Sequence, residues 1–350
     1  MREFPLDVYD AELAAELRSR LPDRIFDAHA HPFQKREINV AGVPVLGDLP
    51  VDGGIGFWSE SLAAQVGGGR TAGGLFFGLP IMPAGDIGGR IRRANRFVID
   101  ELRRCGLADA RGLLLVASDS DPAEMERLLD EPRLSGFKPY SALNPRCGPA
   151  PDIHEYLPEW ACELADARGL VVMLHIGKSK ALDDGQNIAE INGLCARFPR
   201  MKLVLAHAGS GFNMYNTIKG CLKLAPAGNL WFDLSAVCEP PTCQALMKAF
   251  GHGRLLWGSD YPISLRKGRF VTLGGAFFAI QRDIVNTERM PFPPGAALLG
   301  LENLRAVLHA AHDCRLGDGE LEDLFYGNAA RLLGLAPSGG AASRRGATAR

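Results

Sequence analysis

Apolar residues along this chain follow two alternating patterns. Short continuous apolar runs, such as GLLLVAS at 112–118, are typical of strands that are buried on both faces of a sheet. Between these runs lie stretches in which apolar residues recur at about every third or fourth position, such as GRIRRANRFVIDELRRCG at 89–106. This spacing predicts amphipathic helices, so strands and helices should alternate along most of the chain.

About eight strand–helix units are predicted, which is the number that a (β/α)8 barrel requires. The predicted strands are RIFDAHAH (24–31), GLFFGLP (74–80), GLLLVAS (112–118), LSGFKPYS (134–141), LVVMLHI (170–176), KLVLAHAG (202–209), LWFDLSA (230–236) and RLLWGSDYP (254–262). We therefore predict an α/β fold, a (β/α)8 TIM-type barrel with a long insertion after the first strand. An open doubly wound sheet is the alternative. No GxGxxG motif opens a helix after the first strand, which argues against the dinucleotide-binding form of that alternative.

Two segments are too long to be simple connections. The insertion after the first strand, residues 32–74, is rich in Gly and Pro. Connections of this length usually carry function or contain small helices, and Trp58 and Arg70 within it are candidate lid residues. The second segment, VTLGGAFFAIQRDIVNTERMPFPPG at 271–295, is predicted to form a lid or a subunit contact.

The predicted domain is bounded by two helices. The first is AELAAELRSRL at 11–21, and the last is LEDLFYGNAARLLGL at 321–335. Residues 1–335 are predicted to form one barrel domain. The Gly-, Ala-, Ser- and Arg-rich residues 336–350 are predicted to be a disordered tail.

Composition narrows the class of protein. The chain is 47% hydrophobic and 23% charged, with 39 basic and 40 acidic residues and a formal net charge of -1. Such a balance predicts no binding of nucleic acid or of a membrane surface, and no apolar run approaches the ~18 residues of a membrane span. The N-terminus has no secretion signal, and none of the eight cysteines forms a CxxC pair. Reduced thiols and a cytoplasmic location are expected.

Residue types that bind metals stand at the ends of the predicted strands. Residues two apart on a strand share a face, so Asp27, His29 and His31 should point the same way. In a barrel the carboxyl ends of all strands meet at one face, where the active site lies. The other strand ends carry Lys138, His175, His207 and Asp260. Imidazole and carboxylate ligands suit Zn²⁺, Fe²⁺, Mn²⁺ or Co²⁺, so the sequence predicts a metal site at the barrel mouth.

Several of these motifs resemble a known family. DAHAH on the first strand, LHI and AHAG on the fifth and sixth, GSDYP on the eighth and the closing YGNAARLLGL resemble the amidohydrolase superfamily. Its amidohydrolase-related branch (amidohydrolase family 2), which includes hydrolases and non-oxidative decarboxylases, is the most similar. The resemblance runs over residues 24–335. It implies that His29, His31, His175 and Asp260 bind the metal, and that His207 is a second-metal ligand or a catalytic acid/base.

Lys138 bears on the number of metal ions. In binuclear members of the family, a lysine at the end of the fourth strand is carboxylated by CO₂ and bridges two metals, so the resemblance favours two ions and adds Lys138 to the metal ligands. Carboxylation needs a neutral amine, and burial beside cations lowers the pKa of a lysine. Alternatively, Lys138 holds a substrate carboxylate or forms a structural ion pair.

A mechanism follows if a metal is bound. A metal lowers the pKa of bound water toward about 7 and polarises a carbonyl oxygen. Asp260 would accept the proton of that water and deliver it to the leaving group. Zinc is the expected ion, with iron or manganese as alternatives. The candidate substrate contacts are Tyr140, Lys178, Glu239 and Tyr261, each of which could equally serve loop structure or packing.

Three enzymatic functions are compatible with these residues. The first is a metal-dependent hydrolase that cleaves an amide, lactone or ester bond. The second is a metal-dependent non-oxidative decarboxylase of an aromatic or unsaturated acid. The third is a dinuclear iron oxygenase, because the same ligand types also bind iron. A non-catalytic scaffold would need no complete ring of metal ligands. A small-molecule substrate is the expected partner, and formation of a homo-oligomer is left open.

Overall fold

Eight parallel strands form the central sheet of the protein, as a computed structural model describes it for residues 4–40, 50, 52–144, 146–281 and 296–335. The strands are β1 (Ile25–Ala30), β2 (Thr71–Phe76), β3 (Arg111–Val116), β4 (Leu134–Pro139), β5 (Val171–Leu174), β6 (Lys202–Leu205), β7 (Leu230–Asp233) and β8 (Leu255–Leu256). Each strand pairs in parallel with the next along the chain. The predicted strands are thus confirmed, although several are shorter than expected.

Backbone hydrogen bonds join the first strand to the last and close the barrel. The amide of Ala28 donates to the carbonyl oxygen of Trp257 at 3.0 Å, and the amide of Asp260 donates to the carbonyl oxygen of His29 at 2.8 Å. The amide of His31 donates to the carbonyl oxygen of Tyr261 at 2.7 Å. The sheet is therefore a TIM-type (β/α)8 barrel, as predicted, and its seam runs beside the His29–His31 pair.

Helices follow the strands around the outside of the barrel. In the described residues they are Val8–Arg18, Ile55–Val66, Ile87–Arg104, Pro122–Leu128, Ile153–Tyr156, Glu159–Arg168, Gly185–Arg197, Met214–Gly220, Pro240–Phe250, Leu299–Asp313, Asp318–Glu322 and Asn328–Leu333. Two begin earlier than predicted because an aspartate caps them. Asp7 accepts a hydrogen bond from the amide of Asp10, and Asp86 accepts one from the amide of Gly89, each at 2.9 Å.

Strand side chains alternate between two apolar layers. Met173 on β5 lies in the cluster inside the barrel with residues such as Phe26 and Val204. Val172 and Leu174, its neighbours, lie in the larger cluster between the barrel and the helices. This alternation is the period of two that a strand imposes, and it explains why parallel strands covered on both faces are almost entirely apolar.

The insertion after β1 contains its own elements, as predicted. A short strand, Phe33–Gln34, pairs in antiparallel fashion with Asp52–Gly53, and the helix Ile55–Val66 follows. Trp58 on that helix is completely buried, so the expectation that it is a lid residue is wrong. Arg70 precedes β2 at the opposite end of the barrel from the predicted site, where it donates to the carbonyl oxygen of Arg18 at 2.7 Å. It is not a lid residue either.

A hairpin follows β8 and covers part of the same barrel face as the predicted site. Its strands, Gly268–Leu273 and Ala276–Gln281, pair in antiparallel fashion. Phe270 and Phe277 pack against Phe212, with ring centroids 4.7 and 5.1 Å away. Residues 282–295 lie outside the described residues, so the role of 271–295 as a lid or subunit contact stays a prediction.

Two further expectations concern the ends and the surroundings of the barrel. The predicted disordered tail, 336–350, lies outside the described residues. Among the helices that are described, none has the length and apolar character needed to traverse a bilayer.

Candidate metal centre

Three predicted ligands converge where β1 and β8 end. The Nε2 atoms of His29 and His31 are 3.1 Å apart. Oδ1 of Asp260 lies 3.5 Å from Nε2 of His29 and 3.3 Å from Nε2 of His31. Ligands about 2.1 Å from a tetrahedral zinc ion are about 3.4 Å from one another. The three atoms are therefore spaced as ligands of one ion would be.

The other nitrogen of each of these two rings already faces an acceptor. Nδ1 of His29 lies 3.0 Å from Oδ2 of Asp233, and Nδ1 of His31 lies 3.2 Å from the carbonyl oxygen of Gly78. A carbonyl or carboxylate oxygen only accepts, so in each neutral ring the proton belongs on Nδ1. Both Nε2 atoms then present lone pairs to each other at 3.1 Å with no proton between them. This arrangement of two lone pairs suits a cation bound between the Nε2 atoms of His29 and His31.

Burial keeps these imidazoles neutral. It lowers the pKa of His29 well below its usual value, against the opposing effect of the Asp233 carboxylate. It lowers the pKa of His31 to about 3 and that of His175 well below the usual range. Metal binding requires neutral imidazole, so the fold prepares these side chains for it.

Asp260 and Lys138 have pKa values that burial brings toward neutrality. Burial raises the pKa of the Asp260 carboxyl to about 7, and a cation beside it would favour the ionised form and lower the value again. Burial lowers the pKa of Lys138 to about 8, although Asp233 and Asp260 oppose the effect. Among the described residues, Nζ of Lys138 has no hydrogen-bond partner, and it lies 4.9 Å from the centre of the Phe77 ring.

His175 and His207 lie side by side at the same barrel face. Their ring centroids are 5.2 Å apart, and the ring of His207 is 4.6 Å from that of His29. In the described residues, three groups of side chains bring their ligand atoms close enough for one ion. They are His29, His31 and Asp260; His29, His207 and Asp233; and the less buried Asp152, His154 and Glu190. The predicted roles of His175, His207 and Lys138 as metal ligands stay predictions. Tyr140, a predicted substrate contact, packs on the His175 ring at 4.6 Å.

The backbone is strained where these side chains emerge. His207 has φ 54° and Asp260 has φ 60°, both in the left-handed region. A non-glycine residue in this conformation costs about 1–3 kcal/mol and persists only where the surrounding structure enforces it. Such residues cluster at functional sites. His207 comes two residues after the end of β6, and Asp260 comes four residues after the end of β8.

The remaining predicted substrate contacts have structural partners. Lys178 forms ion pairs with Asp152 and Asp184. Glu239 accepts hydrogen bonds from the amide of Thr272, at 3.0 Å, and from its hydroxyl. The Tyr261 ring lies 6.2 Å from that of Phe33 and 6.3 Å from that of Phe57. Contact of Lys178, Glu239 or Tyr261 with a substrate stays a prediction.

Two buried polar residues at the end of β7 were not predicted as site residues. Oδ2 of Asp233 accepts from His29, and Oδ1 accepts from the amide of His207 at 3.3 Å and from the amide of Ser235 at 2.9 Å. The Ser235 hydroxyl donates to the same Oδ1 and lies 2.9 Å from Nδ1 of His207. The one available signal was positional, because Asp233 ends a barrel strand like the predicted ligands.

Asp27 supports the cluster from the other side. Its Oδ1 accepts from the amides of His29 and Ser259, at 3.1 and 2.7 Å. Its Oδ2 accepts from the Trp58 indole at 2.7 Å and from the Ser259 hydroxyl at 2.5 Å. Burial raises the pKa of Asp27 to about 6 even with these hydrogen bonds. Asp27 thus fixes the backbone of β1 and of the segment after β8 rather than an imidazole ring.

Solved structures share this fold. A zinc-bound amidohydrolase from Burkholderia multivorans has a TM-score of 0.54 and 16% sequence identity, covering 89% of this chain and 100% of that chain. A probable 2-pyrone-4,6-dicarboxylic acid hydrolase from Acinetobacter baumannii, with citric acid bound, has a TM-score of 0.54 and 13% sequence identity, covering 89% of this chain and 99% of that chain. A dihydroxybenzoic acid decarboxylase from a Polaromonas species, with manganese and the inhibitor 2-nitroresorcinol bound, has a TM-score of 0.52 and 16% sequence identity, covering 91% of this chain and 98% of that chain. At identities this low the likeness establishes the fold alone.

Sequence comparison identifies the family. A search of curated proteins finds no match. The sequence profile of a family described as Amidohydrolase matches residues 91–335, which include β3 to β8 with Lys138, His175, His207 and Asp260 but not His29 and His31. Because the match spans well over half of the chain, the protein belongs to the amidohydrolase family.

Proposed function

We propose that this protein is a metal-dependent hydrolase that cleaves an amide, lactone or ester bond of a small molecule. The observation that carries the proposal is the convergence of two imidazole lone pairs and one carboxylate oxygen within 3.1–3.5 Å of one another. Buried lone pairs and a buried carboxylate that face one another are stabilised by a cation between them. His29, His31 and Asp260 are thus the residues that would hold it.

Zinc is the proposed ion. Two imidazoles and a carboxylate form a common ligand set of catalytic zinc sites, which keep a position open for water or substrate. A zinc-bound amidohydrolase and a manganese-bound decarboxylase are among the proteins of similar fold. When bound, the ion supplies Lewis-acid chemistry, since it lowers the pKa of water toward about 7 and polarises a carbonyl oxygen.

Asp260 is the proposed proton carrier. A general acid/base is most effective when its pKa lies near the working pH. Burial raises the pKa of Asp260 to about 7, whereas a neighbouring cation favours the carboxylate. We propose that the carboxylate takes a proton from water as the carbonyl is attacked and gives it to the leaving group. The left-handed backbone at Asp260 holds the carboxylate beside the two imidazoles.

Lys138, His175 and His207 complete the proposed centre. A buried amine with a pKa near 8 is partly neutral at physiological pH, which is the form that reacts with CO₂. Carboxylation would place two anionic oxygens beside His29 and His31, and it accounts for an Nζ that has no partner among the described residues. His175 and His207 would then bind a second ion. In a centre with one ion, His207 instead orients water or stabilises developing charge.

A non-oxidative decarboxylase is the second candidate. Two observations favour it. His29, His31 and Asp260 are spaced as ligands of a single ion, and Nζ of Lys138, which has no hydrogen-bond partner among the described residues, could hold a substrate carboxylate in its ammonium form. A dihydroxybenzoic acid decarboxylase is also among the proteins of similar fold. A dinuclear iron oxygenase and a hydrolase with a carboxylated Lys138 would both need a second metal ion. The identity of the metal therefore distinguishes these two functions.

Metal content per chain is the first test. Elemental analysis of protein purified without chelator and without added metal should find zinc. About two ions per chain would support a carboxylated Lys138, and about one would assign Lys138 to the substrate and favour the decarboxylase. Two irons would favour oxygen chemistry. A protein that contains no metal, and takes none up on reconstitution, would contradict the proposal.

The reaction type needs a separate assay. A panel of lactones, esters, amides and aromatic carboxylic acids can be followed in parallel for acid production in a pH-stat and for release of CO₂. Hydrolysis of a lactone or ester yields one carboxylic acid per turnover and no CO₂. Decarboxylation yields one CO₂ per turnover and replaces the carboxyl group with hydrogen. Asp260→Asn should abolish either activity, and His309→Ala, which changes an exposed histidine on the helix Leu299–Asp313, should not.

A further inference from the structure

We propose that Asp233 is a positioning residue that holds two imidazoles at once, that of the metal ligand His29 and, through Ser235, that of His207. One carboxylate would then set the tautomer of the His29 ring and help to orient the His207 ring. This inference rests on the proposed function for its consequences, but its geometry is independent of any bound ion.

The first arm of this arrangement is direct. Oδ2 of Asp233 lies 3.0 Å from Nδ1 of His29, and both side chains are almost fully enclosed, with exposed fractions of 0% and 1%. A carboxylate can only accept, so His29 donates from Nδ1 and its Nε2 keeps a lone pair. That Nε2 is the atom that faces His31 and Asp260. Without Asp233, nothing described in the structure favours the Nδ1 proton of His29 over the Nε2 proton.

The second arm passes through Ser235. Its hydroxyl has one hydrogen, which it donates to Oδ1 of Asp233. The hydroxyl oxygen and the carbonyl oxygen of Ser235 lie 2.9 and 3.1 Å from Nδ1 of His207 and can accept from it. The amide of His207 also donates to Oδ1 of Asp233, at 3.3 Å. The carbonyl and hydroxyl oxygens of Ser235 therefore favour the Nδ1–H tautomer of His207, while Asp233 holds both the Ser235 hydroxyl and the His207 backbone.

This arrangement uses both oxygens of one carboxylate for different rings. Oδ2 faces β1, and Oδ1 faces the turn after β6, so a change at Asp233 reaches both sides of the barrel mouth. Carboxylate partners of metal-binding histidines typically alter metal affinity or activity about 10–100-fold when they are removed. Here the same removal should also disturb His207, whereas removal of the Ser235 hydroxyl should disturb His207 alone.

The first experiment needs no substitution. Nitrogen-15 NMR of metal-free protein labelled on histidine reports which ring nitrogen carries the proton. At about pH 8, where an unperturbed imidazole is neutral, the resonances of His29 and His207 should both be those of the Nδ1–H tautomer. Resonances of an Nε2–H tautomer, or of two rapidly exchanging tautomers, at either residue would overturn the proposal. Single His→Gln variants assign the resonances.

Two variants then separate the arms. Asp233→Asn should allow the other tautomer at His29, change the His207 resonances through the altered hydrogen bond of Ser235, and weaken zinc binding by about 10–100-fold in competition with a chelator. Ser235→Ala should change the His207 resonances while leaving those of His29 at their parent positions, because the Asp233–His29 hydrogen bond remains. Changes at neither ring in Asp233→Asn, in a protein that retains its circular dichroism spectrum, would also overturn it.

The outcomes distinguish this inference from the proposed function. If the protein binds no metal, the proposed hydrolase fails, but the tautomers of the metal-free protein still test the role of Asp233. If metal binds and the tautomers differ from those expected, the positioning role fails and the hydrolase stands. Should Asp233→Asn not fold, the spectra of the parent protein and of Ser235→Ala still decide the question.

Discussion

The indole nitrogen of Trp58 donates a hydrogen bond to Oδ2 of Asp27 at 2.7 Å, in the interior of the protein. This contact joins the helix of the first insertion to the strand that carries His29 and His31. A segment that could have been a mobile cover is instead part of the support of the candidate site.

Trp58→Phe should destabilise the protein. The substitution leaves the ring in the core but removes a hydrogen bond to a buried carboxyl, and hydrogen bonds to charged groups contribute about 1.5–3 kcal/mol. We expect the free energy of unfolding, measured by urea denaturation, to fall by about that amount. Trp160→Phe is a matched control, because Trp160 packs on Phe137 and is only partly buried, and its loss should be smaller. Equal losses would contradict a special role for the Trp58–Asp27 bond.

Chelation should lower the melting temperature of the parent protein. An ion that binds only the folded state stabilises it by about 2.7 kcal/mol when its free concentration is 100 times the dissociation constant. In His31→Ala one converging ligand is missing, so zinc should have little effect on its melting temperature. His309→Ala, which changes an exposed histidine on the helix Leu299–Asp313, should respond to zinc like the parent. A zinc response that survives His31→Ala would exclude His31 as a ligand.

Gly258→Ala should weaken metal binding and stability together. A Cβ atom at Gly258 would lie 2.8 Å from Cβ of His29, closer than such atoms come in proteins, and a tight 3.2 Å from Cβ of Ser235. Overpacking of this kind typically costs about 1–3 kcal/mol, and here it would displace the backbone of a proposed ligand. Chelator competition and urea denaturation measure the two effects. Gly253→Ala is the control, since a Cβ atom there has no neighbour within 4 Å.

Glu239 offers a test between substrate contact and hairpin anchor. Its carboxylate accepts two hydrogen bonds from Thr272, in the first strand of the hairpin. Glu239→Gln replaces a charged acceptor with a neutral one, and Thr272→Val removes the hydroxyl donor. Both weaken the link between the two side chains, so both should increase hydrogen exchange at 268–281. If Glu239 also contacts substrate, the decrease in kcat/KM should be much larger in Glu239→Gln than in Thr272→Val. Equal effects of the two variants would leave Glu239 as an anchor only.

Thiol reactivity should follow burial. Burial raises the pKa of Cys162 to about 12 and that of Cys195 to about 11, and the reactive species is the thiolate. At neutral pH both thiols should resist iodoacetamide until the protein unfolds, whereas the partly exposed Cys105 should be modified first. Mass spectrometry of digested, time-sampled protein gives the order. Early modification of Cys162 would show that its region opens without global unfolding.

The barrel could be predicted from the sequence because its signal is local. Each strand is an apolar run, and a polar residue such as His175 or Asp260 marks where the run ends. Positions of helix starts were less certain, since a cap such as Asp7 lies outside the apolar pattern that defines the helix. The order of the strands then followed from the short connections between them.

The support of the site could not be predicted in the same way. Asp233 and His29 are far apart in sequence, and no spacing rule relates an acceptor at the end of β7 to a ring nitrogen on β1. The prediction that Trp58 is a lid residue rests on its position in a Gly-rich insertion. That position does not indicate that the indole donates a hydrogen bond to the buried carboxyl group of Asp27. Arg70 shows the same limit, because the end of the barrel on which a loop residue lies depends on the direction of the following strand.

The seam between the first and last strands has a consequence for folding. His29 and Asp260 lie on opposite sides of that seam, so an ion held by both would cross-link segments separated by most of the chain. A clip that closes so long a loop removes more conformational entropy from the unfolded chain than one between neighbouring segments. A bound metal would then stabilise the closed barrel by linking its first and last strands. Loss of the metal should separate these two strands before the others.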